Sequence, residues 1–359
     1  MSVIKRAAIM VVLNTLLAAA CSSTGEEPIP TQPPTSDPVV IRLGTGDSRG
    51  RPDTPIVERF AEAVEERSDG GMRVEFVWEA GGDSSDPDGF EKGVVGLVQE
   101  GELDIGWIAA RAWDTVGVRS FQALQAPFLI TDQELLTEVL ASPMADEMIA
   151  GLEDVGVVGL GLYPDGLRYP LGYKAPMTSL EDFDGADIRL VPSEATEALV
   201  RALGGRPVYG LAGDALDAAI ASGDVDGTEV SLGLALSLAP EGSVVTGNVV
   251  LFPRVNTLFA GQDLMGSLSD EQEAILAAAA EEAHVFATSS TTEDFPAFCE
   301  AGGEVVIASE TEVAALQRAA TPVYRMLEAD PQTKAFIDEI QELKNGQAVV
   351  DSPSSCGGG

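Results

Sequence analysis

From Val39 onward, short β-branched runs alternate with amphipathic helical segments, and glycine closes nearly every one of them. Val39-Val40-Ile41-Arg42-Leu43-Gly44 reads as a first buried strand. Thr54-Pro55 supply an N-cap and a first helical position, and Ile56, Phe60, Ala63 and Val64 then share one helix face. After Gly70-Gly71, Met72, Val74, Phe76 and Trp78 alternate with polar partners as a second strand. Phe90 to Gln99 reads as a helix ended by Gly101, and Leu103 to Trp107 as a third strand. A chain of this rhythm is confined to α/β architectures, with parallel strands joined by helical crossovers.

The rhythm then recurs with other residues. Gly156 to Tyr163, Leu167 to Leu171 and Ala186 to Val191 are strand-like, and Glu194 to Leu203 and Asp214 to Ala221 are helices stopped by Gly204-Gly205 and Gly223. "GLVQEGELDIG" from Gly96 and "AAIASGDVDGT" from Ala218 both run helix, glycine stop, acidic residue, apolar residue, aspartate. A left-handed glycine just past a helix, followed by a buried strand, accounts for both. Ser269 with Gln272 forms a capping box for an alanine-rich helix reaching about Thr288, and segments from Pro296, Thr311 and Pro331 add a strand and two helices. The roughly 310 residues involved exceed what one core supports, so two lobes on one plan are expected.

The N-terminus concerns location. Lys5 and Arg6 precede a mostly apolar stretch from Ala7 to Ala20, too short to span a bilayer, with Cys21 after three alanines. Residues 1–20 are therefore expected to be a secretory signal, and cleavage before Cys21 with acylation of that residue resembles bacterial lipoprotein maturation. The chain would then be exported and held by lipid at the outer face of the cell membrane, periplasmic or at the cell surface. Residues 21–38, rich in Ser, Thr, Pro and Glu, read as a flexible tether. Cys299 and Cys356 remain as an exported pair able to form a disulfide, tying down a tail over 347–359 that otherwise reads as disordered. The net charge of −37 becomes 19 − 58 = −39 without Lys5 and Arg6, which disfavours nucleic acid as a partner. An anionic ligand would need local cations to offset that field.

Few motifs carry chemistry. Gly46-Asp47-Ser48-Arg49-Gly50 matches G-x-S-x-G after a strand, and His284 lies downstream, which raises a serine hydrolase using Ser48 and His284. Pro52 and Pro55, however, delay the helix that such an elbow needs. Asp86, Asp88 and Gly89 suggest a calcium loop, but that alignment puts Val95 where the bidentate glutamate belongs. With one histidine and no cysteine pair at zinc spacing, neither metal nor cofactor is expected. Arg168 and Arg189 are more informative. Each sits in a strand-like run, where it must be paired with an acidic neighbour or meet a ligand at the strand end.

In their order these motifs resemble the extracytoplasmic solute receptors of tripartite ATP-independent periplasmic (TRAP) transporters, the DctP-like group. "GADIRLVPSEATEALVRALGGRPVYGLAGDALDAAIASGDVDGTE", Gly185 to Glu229, is the most specific stretch; "GLRYPLGYKAPMTSLEDFDG", "EGELDIG", "LQAPFLITD" and "LSDEQEAILAAAAEEA" extend the resemblance over Val39 to about Lys344. The resemblance implies a periplasmic-binding-protein-like fold: two α/β lobes, a ligand cleft and hinge between them, and a long helix spanning both. It places lobe I at 39–164 plus about 255–297 and lobe II at 165–254 plus about 298–346. It implies a receptor, not an enzyme, that binds a small organic acid by cleft closure and passes it, as a monomer, to integral membrane permease subunits. By the same resemblance Arg189 meets the ligand carboxylate and Arg168 is a second pocket arginine, with Trp107, Arg111, Trp113, Asp47, Ser48 and Glu229 as further ligand-binding candidates. Two departures stand out: the strand reads Arg-Leu-Val-Pro, one residue longer than Arg-Val-Pro, and Val230 replaces the asparagine that usually follows the glutamate, which points to a solute either less polar than, or held differently from, those of the familiar members. A sugar-binding receptor of an ATP-driven transporter, or a receptor serving a sensor kinase, is the rival within binding proteins.

Overall fold

A computed structural model describes residues 37–82, 85, 86, 89–291, 294–347 and 354–356. The signal segment, Cys21, most of the tether, Asp88 and most of the tail lie outside the described residues. Among the described residues there are ten strands: β1 Val39–Thr45, β2 Met72–Val77, β3 Ile105–Ala109, β4 Val157–Gly172, β5 Asp187–Arg189, β6 Arg206–Val208, β7 Gly227–Val230, β8 Val244–Thr246, β9 Phe252–Gly261 and β10 Glu304–Val306.

Their order, β2-β1-β3-β9-β4-β7-β5-β6, contains one arrangement twice. In the first half β1 lies between β2 and β3, parallel to both, and β3 meets β9 antiparallel. In the second, β5 lies between β6 and β7, parallel to both, and β7 meets β4 antiparallel. The two central strands, β4 and β9, pair antiparallel along most of their length and join the halves. The sheet is therefore mixed, whereas strand-helix alternation predicts parallel pairing alone. The antiparallel strands are the two that stitch the repeats together, and β8 with β10 extends the second half from β4.

Glycine performs the stops read from the sequence. Gly101 and Gly223, both with φ in the left-handed region (73° and 82°), follow the helices Phe90–Gln99 and Gly213–Ser222 and release the chain into β3 and β7. The two strand-like runs around residue 164 are one 16-residue strand, β4, whose register against β9 breaks between Pro164 and Leu167. Gly166, at φ 85°, makes that irregularity affordable. The chain from Pro296 belongs to a helix, Phe295–Glu300, before it turns into β10, and Cys299 on that helix is bonded to Cys356.

Apolar faces seat these elements. The helices Thr54–Arg67 and Asp270–Ser290 bury Ile56, Phe60, Val64, Leu276 and Ala283 with Ile41 and Leu43 of β1. The capping box of Ser269 and Gln272 starts the second of these helices. Helices Gly213–Ser222, Leu232–Leu238 and Phe295–Glu300 pack with Leu171, Val230 and Val245 in the other half. Among the described residues no helix is long and apolar enough to cross a membrane.

Candidate ligand-binding site

The parallel strands β1, β3, β5 and β7 all end toward one place, where open α/β sheets leave a crevice beyond their carboxyl ends. A cavity of about 230 Å³ lies there. Its walls come from both halves: Asp47 and Arg51 after β1 and Arg111 after β3 on one side; Arg168 and Tyr173 on and after β4, Arg189 ending β5, and Thr228, Glu229 and Val230 of β7 on the other; and Arg254 near the start of β9, one of the two strands that join the halves. Five arginines meeting at one cavity is a strong local departure in a chain of net charge −37.

Each guanidinium is held by identifiable partners. Arg254 is 5% exposed and lies 3.0 Å from Asp47, 3.0 Å from Asp165 and 3.7 Å from Asp53. Burial alone would make Arg254 easier to deprotonate, but those carboxylates outweigh it and hold the charge firmly. Burial likewise opposes the Asp47 charge, yet Arg254 and Arg51 beside it bring its pKa below the ordinary value. Asp165 responds the other way: burial pushes it up to about 6, Asp53 adds repulsion, and Arg254, Arg168 and Arg51 offset this only in part.

Arg168 pairs with Glu229 at 3.2 Å, and burial brings its pKa down to about 10 against the pull of Glu229. Arg111 pairs with Glu91 at 2.8 Å, whose second oxygen accepts from the Ala109 amide, fixing the loop that follows β3. Arg189 donates from Nε to the Leu211 carbonyl at 3.2 Å; burial lowers its pKa, with Tyr173 and Glu229 opposing. The arginines are thus pre-oriented by short contacts behind them, an arrangement suited to planar anionic groups.

The halves touch beside the cavity. Asp114 receives hydrogen bonds from the Ser193 hydroxyl and from the Glu194 and Ala195 amides, at the start of the Glu194–Ala202 helix. Arg111 donates to the Pro192 carbonyl at 3.4 Å. Burial pushes Asp114 up to about 6 despite those donors.

Of the residues singled out from sequence, Arg189, Arg168, Arg111, Asp47 and Glu229 line this cavity. Trp107, Trp113 and Ser48 do not. Trp107 is buried against Tyr163 and donates to Asp53 at 3.1 Å, so it braces a carboxylate behind Arg254. Trp113 packs edge-on to Phe259 and donates to Thr257 at 2.8 Å. Ser48 is exposed on its loop, and His284 is bonded to the Leu162 carbonyl at 2.7 Å, so the two do not form a nucleophile and base pair. Arg51, Tyr173, Thr228 and Arg254 line the cavity without having been singled out. Arg254 carried the same signal as Arg168, an arginine inside an apolar run. Among the described residues no cluster of histidine, cysteine and carboxylate side chains could hold a metal ion.

A model of the family described as bacterial extracellular solute-binding protein, family 7, matches residues 43–330. The C4-dicarboxylate-binding periplasmic protein DctP of Rhodobacter capsulatus is 24% identical over 216 residues, 60% of this chain and 62% of that protein. The chain thus spans less than two-thirds of that relative, and 34% of an uncharacterized protein of Sinorhizobium fredii that it also matches. In three dimensions it is similar to the sugar acid binding protein DctPAm of Advenella mimigardefordensis in complex with galactonate, with TM-score 0.73, 19% identity, and coverage of 86% of this chain and 99% of the other. It is also similar to a TRAP periplasmic solute binding protein from Sulfurospirillum deleyianum with bound succinate, with TM-score 0.72, 17% identity, and coverage of 86% and 100%.

Proposed function

The chain belongs to the bacterial extracellular solute-binding protein family 7, and from that premise we propose that it is the extracytoplasmic receptor of a TRAP-type transporter, binding a small carboxylate between its two lobes. One observation carries the reading: five arginines from both halves of a strongly acidic chain converge on a single cavity at the carboxyl ends of parallel strands. At about 230 Å³ the cavity is smaller than the roughly 300–1,000 Å³ typical of drug-sized pockets, which fits a small solute. Arg189 takes the carboxylate as a two-pronged partner, with Arg168 behind it, and loop residues after β1 and β3 close over the guest from the first lobe.

Closure needs a place to bend, and the irregularity at Pro164 to Gly166 in β4 interrupts its pairing with β9 shortly before the strand turns to β7 at Tyr169. The lobes take the boundaries 39–164 with about 255–297, and 165–254 with about 298–346. The closed receptor acts as a monomer and hands its solute to integral membrane permease subunits. An acyl group on Cys21 keeps it at the membrane; metabolic labelling with a palmitate probe, lost in Cys21→Ala, tests that point.

The hydrolase reading is not favoured, because His284 is engaged by Leu162 and Ser48 stands alone on its loop. The test of the receptor reading is calorimetric titration with carboxylates and with neutral sugars, with small-angle scattering on the same samples. A carboxylate that binds and contracts the radius of gyration supports it; binding of neutral sugars alone contradicts it.

A further inference from the structure

The cavity has two unlike sides. Beside its five arginines stand Asp47, Asp53, Asp165, Glu91 and Glu229, so the positive groups are nearly balanced before any ligand enters. Such a site can hold one more carboxylate at its arginine end, but a second negative group would meet carboxylates already buried there and the field of a −37 chain. The remaining wall is hydrocarbon. Val191 after β5, Leu216 and Ile220 of the Gly213–Ser222 helix, Val230 of β7 and Leu234 of the Leu232–Leu238 helix line it, with Phe90 facing from the other half. Among the described lining residues the uncharged polar side chains are Tyr173 and Thr228, and the Thr228 hydroxyl is already given to the Arg189 carbonyl at 2.9 Å.

We infer that the solute is a monocarboxylate with an apolar body, aliphatic or aromatic, and neither a dicarboxylate nor a polyhydroxylated sugar acid. This rests on the carboxylate-receptor reading and narrows it. Hydroxyl groups laid against Val191, Leu216, Ile220 and Leu234 would give up water for nothing, a loss of roughly ten- to a hundredfold in affinity for each group left unpaired. A methylene placed there gains about fourfold.

The experiment is calorimetry on the purified full chain with butyrate, pentanoate, 4-methylpentanoate, succinate, galactonate and neutral galactose, repeated with Val230→Asn. The expected result is affinity rising about fourfold per carbon along the first three acids, with succinate and galactonate at least about tenfold weaker than 4-methylpentanoate. Val230→Asn, which places an amide on the apolar wall, is expected to narrow the gap between 4-methylpentanoate and galactonate by about tenfold. Succinate or galactonate binding more tightly than 4-methylpentanoate would overturn this inference and leave the carboxylate reading standing. Galactose alone binding, or no acid binding at all, would overturn both.

Discussion

Arg168 and Glu229 form an ion pair at 3.2 Å with both side chains less than one-tenth exposed, across the junction between β4 and β7. Both residues also line the cavity, so this pair joins the stability of the second half-sheet to the chemistry of the site. Glu229→Gln leaves a buried guanidinium without its counter-charge and is expected to cost about 3–5 kcal/mol in urea unfolding. An Arg168→Met, Glu229→Leu double variant should recover most of that loss, because an apolar pair of similar volume carries no desolvation penalty.

Asp114 should leave a mark on the pH dependence of stability. Its carboxyl sits near 6 in the folded chain against 3.8 for the free group, chiefly because it is buried. The folded state therefore binds its proton more tightly. The stabilisation is complete below about 3.8 and is lost as pH rises through about 6. Relative to Asp114→Asn, wild type should lose up to about 3 kcal/mol between pH 3.5 and 7, read from urea melts at each pH. A constant difference between the two proteins across that range would contradict this assignment.

The Cys299–Cys356 bond closes a loop of 57 residues. By the chain-entropy argument, its loss in Cys299→Ser is expected to cost up to about 4 kcal/mol, with the urea midpoint of wild type falling to that of the variant on addition of reductant.

Ser48 is exposed outside the cavity wall. Ser48→Ala is expected to bind acids within about twofold of wild type, and wild type should take no label from a fluorophosphonate probe at this serine. Labelling there would revive the hydrolase.

Much of this was legible in the sequence, and the exceptions share a cause. The helix Phe90–Gln99 and the capping box at Ser269 depend on local signals, glycine stops and cap residues, and both lie where those signals put them. β9 gave no such signal. It is buried along its whole length between β3 and β4, so it has no polar face to set a two-residue period, and Pro253, Arg254, Asn256 and Thr257 interrupt its apolar character. Those interruptions are the informative part. Arg254 gathers Asp47 and Asp53 from the loop after β1 and Asp165 from β4, a convergence set by pairing over long sequence distances. Trp107 and Trp113 show the converse: a strand end near the cavity does not say which way a side chain turns, and both turn into the core.

The central claim is that Arg189 grips an anionic guest in the cavity between the half-sheets. Calorimetric titration of wild type and Arg189→Ala with the tightest-binding acid of the panel, after circular dichroism has shown the variant to be folded, tests it most directly. The predicted result is a loss of at least about a hundredfold in affinity. Affinity within about threefold of wild type would contradict it.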